Sequence, residues 1–465
     1  MLNIEEPIGL QRAMMTYRVM FINAIDPEEL AGPPQAHLGV GYLASALRNA
    51  FGEDHFKFKV IDHDPKAEIR TFRPDIVAIS SVTPNFNYAS TYAKIAKSCG
   101  LPVIMGGVHI SAVPTSLTDD MDIGVLGEGE RTIVELLKIF EDRTCLDPDA
   151  LRHVQGIVFR HNGRYTQTQQ RPPIEPLDQI AMPARDLLNF DVMTILTSRG
   201  CPYRCLFCST SCSWGNIRYF SAEYVVNEIS HIVENYQVPH NFIQIWDDLF
   251  IADVRRLHQI AELLEQKRLA GTLKFWCHAR ANLVTDEVSR SLKRIGVRFV
   301  NMGLESGSPH ILQYYKGSTV SLNDNHNAVK ALKRHRIVPE GSFIIGAPHE
   351  TREDVLKTLL FIKNHQLNAE LYLLTPYPGT PLWDFALQKG LVSDSMDWDM
   401  LRPTILSDDW ERALILSERL TREEICDLYT VFTKEQKRIK RQKMMKRALK
   451  HPIKVSQVLL KRFLT

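Results

Sequence analysis

Through the first 145 residues, short apolar runs alternate with longer stretches in which apolar residues recur every three or four positions. The short runs are typical of buried strands, and the longer stretches have the period of amphipathic helices. Their alternation predicts parallel βαβ units, and therefore a doubly wound sheet of five strands. The predicted strands are residues 17–23, 56–62, 75–81, 102–106 and 122–126, and the predicted helices lie near 39–50, 85–98 and 132–141.

The same alternation restarts at residue 194 and predicts six further units of strand and helix. The predicted strands are residues 194–198, 242–246, 273–280, 299–303, 341–345 and 370–375, and the predicted helices are 222–236, 254–267, 286–295, 324–334 and 352–365. Most of these strands run into a polar or glycine-containing segment. Because ligands of parallel sheets and barrels bind beyond the carboxyl ends of the strands, we expect functional side chains there.

A segment of different composition separates the two regions. It contains an Asn162-Gly163 pair between two short strand-like runs, which predicts a hairpin, and then a proline-rich stretch. We therefore expect a first α/β domain over residues 1–150, a connector over 151–193, a second α/β domain over 194–400 and a helical region over 401–465.

Three cysteines follow the first strand of the second region. Cys201, Cys205 and Cys208 form a C-x3-C-x2-C loop, and three neighbouring thiolates suit an iron–sulfur cluster. Three ligands leave one iron of a four-iron cube free, which favours catalysis over electron storage. The alternatives are zinc, which usually takes two pairs of ligands, a disulfide, and a cluster closed by Cys212.

Composition and charge narrow the setting. The first 15 residues contain no apolar core of a secretion signal, and no run approaches the roughly 18 apolar residues of a membrane span. We therefore expect a reducing, cytoplasmic location. Residues 434–462 have a net charge of +11, which leaves −9 for the rest of a chain whose net charge is +2. This basic tail is either a solvated helix or a contact with an anionic membrane surface or an acidic partner; no nucleic-acid partner is expected.

The cysteine loop, RGCPYRCLFCS, resembles the signature of the radical S-adenosylmethionine superfamily, which usually has an aromatic residue such as Phe207 before the third cysteine. The resemblance implies a partial (β/α)6 barrel, a 4Fe-4S cluster and S-adenosylmethionine. It also implies an external reductant such as flavodoxin or ferredoxin. By strand-end position it assigns Phe207 to the adenine, Asp247 and Asp248 to the methionyl ammonium, Arg280 to the methionyl carboxylate, Glu305 to the ribose and Gly346 to the adenosine. Either aspartate could instead cap a helix.

The first region resembles the Rossmann- or flavodoxin-like cobalamin-binding domain that often precedes this barrel. The resemblance runs through PPQAHLGVGYLASAL, SSVTPN, GGVHISAVP and GEGE, but the D-x-H-x-x-G motif that supplies a cobalt-binding histidine is missing. His109 is the histidine of the expected nucleotide loop, and we expect it either at the surface or in contact with cobalt. The residues assigned to cobalamin are Ser80, Ser81, Gly106, Gly107, His109, Gly127 and Glu128.

Together the two resemblances imply an enzyme that methylates an unactivated carbon. In that family one S-adenosylmethionine methylates cobalamin, and a second gives a 5′-deoxyadenosyl radical that abstracts hydrogen from the substrate. A radical cyclase or rearrangement enzyme, for example one acting on a tetrapyrrole, is the alternative. A methylthiotransferase would need three further cluster cysteines in its first domain, and Cys99 and Cys145 are too few. An iron–sulfur electron carrier or a cobalamin sensor is the non-enzymatic alternative, and the substrate is expected to be a small molecule or a lipid.

Overall fold

The computed structural model describes residues 16–26, 37–143, 145–403 and 410–450. The first four residues of the predicted cobalamin segment PPQAHLGVGYLASAL and the end of the basic tail lie outside these ranges. The described chain forms two compact units, one built largely from the residues before Ile174 and one from Phe190 onward.

The strands of the described residues come in two sets. They are β1 (Tyr17–Ala24), β2 (Phe56–Ile61), β3 (Ile76–Ser81), β4 (Val103–Gly106), β5 (Ile123–Val125), β6 (Ile157–His161) and β7 (Arg164–Gln167), followed by β8 (Met193–Ile195), β9 (Ser198–Arg199), β10 (Arg218–Tyr219), β11 (Phe242–Ile245), β12 (Lys274–Ala279), β13 (Val297–Glu305), β14 (Val338–Ile345) and β15 (Asn368–Leu373).

The α-helices of the described residues separate these strands. They are α1 (Leu38–Phe51), α2 (Lys66–Phe72), α3 (Phe86–Ser98), α4 (Val108–Ala112), α5 (Glu130–Arg143), α6 (Pro148–Leu151), α7 (Thr210–Trp214), α8 (Ala222–Asn235), α9 (Val254–Gln266), α10 (Asp286–Ile295), α11 (Pro309–Lys316), α12 (Leu322–Arg334), α13 (Arg352–His365), α14 (Pro381–Gln388) and α15 (Arg422–Lys450).

The first unit contains the predicted doubly wound sheet. Its strand order is β2-β1-β3-β4-β5-β6-β7, with β1 to β5 parallel and the last two antiparallel. The five parallel strands are confirmed. The hairpin of the expected connector adds two more strands, because Ile157, Val158 and Phe159 are buried and pair with β5.

The second unit contains six parallel strands in the order β15-β14-β13-β12-β11-β8, which confirms the partial barrel, together with a short ladder of β9 and β10. Six of its helices begin at a side chain that accepts a hydrogen bond from a backbone N–H of the first turn, and each such cap contributes about 1 kcal/mol. The capping residues are Ser221, Asp253, Thr285, Ser321, Thr351 and Thr380.

Side chains of the barrel strands alternate between two environments. One set is buried, and the ring of Phe343 in this set lies 6.1 Å from that of Phe361 in α13, so these residues face the helices. The neighbouring residues point to the opposite side because successive strand residues alternate. We call this the inner face; its residues used below are Gln244, Trp246, Trp276, His278, Asn301, Glu340, Ser342, Asn368, Glu370 and Tyr372.

Helix α15 packs beside the last barrel strand. Its Gln436 side-chain oxygen accepts a hydrogen bond of 3.0 Å from the Ala369 backbone N–H, and Ile425 and Ile439 are buried. This contact satisfies a donor of β15 that has no further strand to pair with. Met444, near the end of the helix, is exposed. None of the helices in the described part of the chain is both long and apolar enough to cross a membrane.

Candidate cofactor sites

The cysteine loop is fixed at both its start and its middle. Gly200 has φ of +90°, and a Cβ at this position would lie 3.0 Å from the Asn216 carbonyl oxygen, so the chain turns here on a glycine. Leu206 donates a backbone hydrogen bond of 3.0 Å to the Tyr315 carbonyl oxygen and accepts one of 3.3 Å from Leu382. These bonds hold the segment that contains the second and third cysteines.

The three thiols of this loop are half-buried. Burial raises the pKa of Cys201, and it raises the pKa of Cys208 to about 11, with a partial opposing effect from hydrogen bonds to Thr210. These two thiols are therefore protonated at neutral pH in the absence of a metal. Since thiolates are the ligands of iron, cluster assembly at this loop must release protons.

The cysteine that could close the cluster has another contact. The Cys212 thiol, on α7, donates a hydrogen bond of 2.9 Å to the carbonyl oxygen of Gly379. This carbonyl belongs to the YPGTPLW segment after β15. Within the described ranges, no three His, Cys, Asp or Glu side chains converge on a position for one metal ion. In a four-iron cluster each thiolate binds a different iron, so a single-ion site is not required. Whether the cluster fits depends instead on the fixed cysteine loop and on the residues around it.

Arg280 lies beside that loop rather than free at the end of β12. Its Nη1 donates a hydrogen bond of 3.2 Å to Cys205 Sγ, and its guanidinium lies 3.9 Å from the centroid of the Tyr203 ring. The Nη2 group donates to Thr319 Oγ1 at 2.7 Å, while the buried Nε has no hydrogen-bond partner among the described residues. The cation thus complements a thiolate at Cys205.

Asp247 and Asp248 follow the same strand but have different surroundings. Asp247 is completely buried, and it accepts hydrogen bonds from the backbone and hydroxyl of Thr197, both at 2.5 Å, and from the Ser198 hydroxyl at 2.7 Å. Its burial raises its pKa. Both carboxylate oxygens therefore accept hydrogen bonds that connect the end of β11 to the segment after β8. This structural role was not predicted from the sequence.

Asp248, in contrast to Asp247, is an exposed residue. Its Oδ1 accepts a hydrogen bond of 3.0 Å from Thr210 Oγ1, and desolvation by the surrounding protein raises the pKa of the carboxyl group. Its negative charge also contributes to the raised pKa values of Cys201 and Cys208. Of the two aspartates, Asp248 is the one whose carboxylate is accessible near the cysteine loop.

Glu305 ends β13 in a conformation that is unusual for a residue other than glycine. Its φ is +54°, and the strand register shifts between Gly303 and Glu305. Left-handed backbone of this kind is concentrated at functional sites. The buried carboxylate forms an ion pair of 2.9 Å with Lys316, which also donates to the Gly303 carbonyl oxygen.

Gly346 follows β14 with φ of +98°, and a Cβ there would lie 3.1 Å from Leu373 Cδ1. Its N–H donates a hydrogen bond of 2.7 Å to Glu350 Oε2, which also accepts from the N–H of Ala347 at 3.3 Å. Glu350 is fully buried, its Oε1 has no partner among the described residues, and burial raises its pKa to about 8. Sequence reasoning missed Glu350, although its position four residues after the glycine was a usable signal.

Phe207 lies within the cysteine loop and is half-buried. Its ring meets the Tyr315 ring edge-on with centroids 5.7 Å apart. Tyr315 is fully buried, and burial together with the charges of Glu350 and Glu305 raises its pKa well above the ordinary value. The phenol therefore stays neutral and packs the aromatic residue of the loop against the barrel.

The two glycines after β4 in the first unit have different neighbours. A Cβ on Gly107, which has φ of +98°, would lie 2.4 Å from the Ser81 carbonyl oxygen, so this glycine is required by the backbone of β3. A Cβ on Gly106 would meet only the Ile79 carbonyl oxygen, at 3.8 Å. Gly106 therefore leaves open space where a bulky ligand can approach, and Ser80 and the exposed Val82 lie at the end of the adjacent strand.

His109 is neither a surface residue nor charged. It is fully buried in α4 and its ring lies 3.9 Å from the Phe86 ring. Burial lowers its pKa to about 3. The expectation of a surface histidine is therefore wrong, because the ring packs inside the first unit, and the same burial argues against a cobalt contact.

Two neighbouring loops of this unit are joined by Ser111, which sequence reasoning missed. Its hydroxyl donates to the Gly107 carbonyl oxygen at 2.8 Å and accepts from the N–H of Gly127 at 3.0 Å. Gly127 has φ of +78° and open space around its missing Cβ. Glu128 accepts a hydrogen bond of 2.6 Å from the Ile174 N–H, so it also serves the fold of this unit. The open space at Gly106 and Gly127 fits a cofactor at the strand ends.

Comparisons with known proteins assign both units. Residues 195–362 match the radical SAM superfamily model, and residues 31–137 match the B12 binding domain model. An uncharacterized methyltransferase of Pyrococcus horikoshii, PH0819, is 34% identical over 390 residues, which cover 79% of this chain and 81% of the relative. An anaerobic magnesium-protoporphyrin IX monomethyl ester cyclase of Cereibacter sphaeroides is 26% identical, over 86% of this chain and 66% of the relative.

A solved structure shows the same fold. The radical S-adenosylmethionine methyltransferase TsrM of Kitasatospora setae, with cobalamin and a 4Fe-4S cluster bound, superimposes with a TM-score of 0.66 at 19% identity. The match covers 81% of this chain and 76% of that chain.

The chain belongs to the radical S-adenosylmethionine superfamily, within its cobalamin-dependent methyltransferase family. The cofactors expected from the sequence, a 4Fe-4S cluster, S-adenosylmethionine and cobalamin, are thereby confirmed as those of its family. Most of the relatives compared are methyltransferases or methylases and a minority are cyclases, which favours methyl transfer over ring closure.

Proposed function

We propose that the protein methylates an unactivated carbon of a small molecule, with Cys201, Cys205 and Cys208 as the three protein ligands of its cluster. The observation that supports this proposal is the fixed cysteine loop. Arg280 donates a hydrogen bond to the sulfur of Cys205, and Cys212 donates one to the Gly379 carbonyl oxygen. A cluster held by these three thiolates would keep one iron open for S-adenosylmethionine.

When bound, the cluster, S-adenosylmethionine and cobalamin supply a carbon-centred radical and a transferable methyl group. The work of the protein is to bind, orient and exclude water. We assign Asp248 to the methionyl ammonium, because its carboxylate is exposed near the cysteines, whereas Asp247 is already engaged by Thr197 and Ser198. Arg280 holds the Cys205 thiolate, and its unpartnered Nε remains for the methionyl carboxylate.

The adenosine side is assigned to the ends of β13 and β14. Glu305 is proposed to bond the ribose, with Lys316 holding its carboxylate in place. Gly346 is proposed to let the adenosine approach the backbone, and Glu350 fixes that turn through two backbone N–H groups. Phe207, whose ring is braced by Tyr315, is proposed to pack on the adenine.

Cobalamin is proposed to lie at the strand ends of the first unit. Gly106 and Gly127 give the open space, Ser80 and Ser81 end β3 and Glu128 follows Gly127, while Gly107 and Ser111 shape the loops. Because His109 is buried and uncharged, we propose that it is not a cobalt ligand.

The balanced reaction makes the proposal measurable. One substrate C–H, two molecules of S-adenosylmethionine and two electrons give one C–CH3, S-adenosylhomocysteine, 5′-deoxyadenosine and methionine. The electrons come from an external reductant of the flavodoxin or ferredoxin class. A cyclase or rearrangement enzyme would form 5′-deoxyadenosine without a stoichiometric amount of S-adenosylhomocysteine, and an electron carrier or sensor would form neither.

The test uses anaerobic protein with reconstituted cluster and cobalamin, S-adenosylmethionine and a strong reductant. We expect both nucleoside products, and we expect the Cys208→Ser variant to form no 5′-deoxyadenosine. Formation of 5′-deoxyadenosine alone, with a candidate substrate that is converted but gains no methyl group, would support the cyclase alternative.

We further propose a cytoplasmic location, which suits free thiols and an oxygen-sensitive cluster. Part of the basic tail belongs to α15, whose buried residues Ile425 and Ile439 pack within the second unit. A contact of the tail with an anionic membrane surface is proposed on its charge alone, and co-sedimentation with phosphatidylglycerol vesicles tests it.

A further inference from the structure

The inner face of the barrel sheet brings polar and aromatic side chains from five strands into adjacent rows. The strand register places His278 beside Asn301 and Asn301 beside Glu340. The same register places Glu340 beside Asn368, and Ser342 beside Glu370. Because neighbouring strands lie about 4.8 Å apart, paired residues on one face of this parallel sheet form one continuous surface.

One side of this surface is aromatic. The Trp246 and Trp276 rings lie 6.1 Å apart, and the His278 ring lies 4.4 Å from that of Trp276 at a steep angle of 75°. Trp246 is 39% exposed, so part of this large side chain is open to solvent. The indole N–H groups are already satisfied, since Trp246 donates to Gln244 and Trp276 donates to Glu340. The open part of this wall is therefore its flat apolar surface.

The other side is acidic. Glu340 accepts hydrogen bonds from Trp276 Nε1 at 2.9 Å and from Asn368 Nδ2 at 3.0 Å, so both of its oxygens are held by neutral donors. Lys443 of α15 interacts with Glu340 electrostatically but lies beyond ion-pair distance. Glu340 is thus a fixed negative charge that orients Trp276.

Glu370 is the carboxylate left for a ligand. Its Oε2 accepts a hydrogen bond of 2.7 Å from the Tyr372 hydroxyl, its side chain is exposed, and it forms no ion pair with the residues that the structure describes. Two basic residues have inner-face positions along β12 and at its end, but neither is placed to pair with Glu370. Lys274 is the first residue of that strand, and Arg280 donates a hydrogen bond to Cys205.

We propose that this surface binds an organic cation as the substrate, with a protonated amine or guanidinium at Glu370 and a planar or apolar part against Trp246 and Trp276. The proposal rests on the methyltransferase function proposed above, because it places the methyl acceptor on the inner face of the barrel. A cation beside an indole face is also favoured by the ring itself. A phosphorylated or carboxylated substrate would instead meet two carboxylates of its own sign.

The first experiment asks which molecules accept the methyl group. Holoenzyme is incubated with trideuteromethyl-labelled S-adenosylmethionine, a strong reductant, and a small-molecule cell extract separated by ion exchange into cationic, neutral and anionic pools. Mass spectrometry then locates trideuteromethyl products. The proposal predicts label in the cationic pool, and label confined to the anionic or neutral pool overturns it.

The second experiment needs no turnover. Calorimetric titration compares 2-naphthylmethylamine with 2-naphthoate, two probes that share a ring system and differ in charge. The proposal predicts that the amine binds holoenzyme about tenfold more tightly, as expected for one charge-assisted hydrogen bond. That preference should be lost in Glu370→Gln and kept in Glu234→Gln, which changes an exposed carboxylate on α8.

Equal binding of the two probes, tighter binding of the naphthoate, no binding of either, or a preference that survives Glu370→Gln each overturns the substrate class. Failure of the proposed methyltransferase function would be recognised by a different result, because S-adenosylmethionine would then give no 5′-deoxyadenosine and no S-adenosylhomocysteine. The calorimetric result stands separately from those products.

Discussion

Arg280 donates a hydrogen bond of 3.2 Å from Nη1 to the sulfur of Cys205. The same guanidinium stacks on Tyr203, 3.9 Å from the ring centroid, so its position is set from two sides. Hydrogen bonds to cysteine sulfur are among the determinants of cluster reduction potential. The residue expected to bind only the methionyl carboxylate therefore also acts on the cluster loop.

Replacing Arg280 by Gln should make the cluster harder to reduce. Loss of the positive charge and of the N–H···S bond destabilises the more negative, reduced cluster, so the midpoint potential should fall. Redox titration followed by electron paramagnetic resonance measures this directly. The control is Arg294→Gln, which removes a surface ion pair with Glu265. An unchanged potential in Arg280→Gln would contradict the role assigned to this bond.

Cys201, Cys205 and Cys208 should be ligands of the cluster, and Cys212 should not. Ser in place of Cys201, Cys205 or Cys208 should abolish reconstitution of a four-iron cluster, while Cys212→Ser should retain it, because the Cys212 thiol is hydrogen-bonded to Gly379. Iron and acid-labile sulfide analysis provides the measurement. Loss of the cluster in Cys212→Ser would favour the closed cluster instead.

The buried Glu350 should make stability depend on pH. Its pKa of about 8 in the folded protein lies above the ordinary value of 4.5, so the folded state binds more protons than the unfolded chain between these values. The free energy of unfolding should therefore fall as pH rises through that window, by up to about 5 kcal/mol.

Glu350→Gln imitates the protonated side chain and should remove most of this pH dependence. Chemical denaturation at about pH 5 and about pH 8.5 tests the difference between the two proteins. The matched control is Glu353→Gln on the same helix α13, where the carboxylate is exposed. Parallel pH profiles for wild type and Glu350→Gln would show that the carboxyl is not held neutral.

Substitutions of Gly106 and Gly107 in the first unit should affect different properties of the protein. Gly107→Ala should destabilise this unit by several kcal/mol, because its Cβ would lie 2.4 Å from the Ser81 carbonyl oxygen in a left-handed backbone conformation. Gly106→Val should leave stability nearly unchanged and weaken hydroxocobalamin binding by about tenfold or more, because its side chain enters open space. Thermal unfolding and absorbance titration separate the two effects, and normal cobalamin binding by a stable Gly106→Val protein would contradict the assignment of this site.

Most of the fold could be read from apolar periodicity, because the strands of both sheets are buried runs with strong local signals. The elements that were missed are short. Strands β9 and β10 span two residues each, helices α2, α4, α6 and α7 span four to seven, and α11 and α14 span eight each. Such segments are held by tertiary contacts, as when the backbone of Tyr315 at the end of α11 receives the N–H of Leu206.

The site was only partly predictable for a related reason. The spacing of Cys201, Cys205 and Cys208 is local, so the loop could be found from the sequence, and so could the glycines at strand ends. Whether a polar side chain is buried depends on distant residues. Asp247 accepts hydrogen bonds from Thr197 and Ser198, and His109 packs on Phe86. Neither contact has a signal in the adjacent sequence.

The most direct test of the account is the electron paramagnetic resonance spectrum of the reduced, reconstituted protein before and after addition of S-adenosylmethionine. An open iron predicts a four-iron cluster signal that changes when the amino and carboxylate groups bind, with 5′-deoxyadenosine formed in the same sample. A mononuclear metal signal, or a cluster signal that S-adenosylmethionine leaves unchanged, would contradict the central claim.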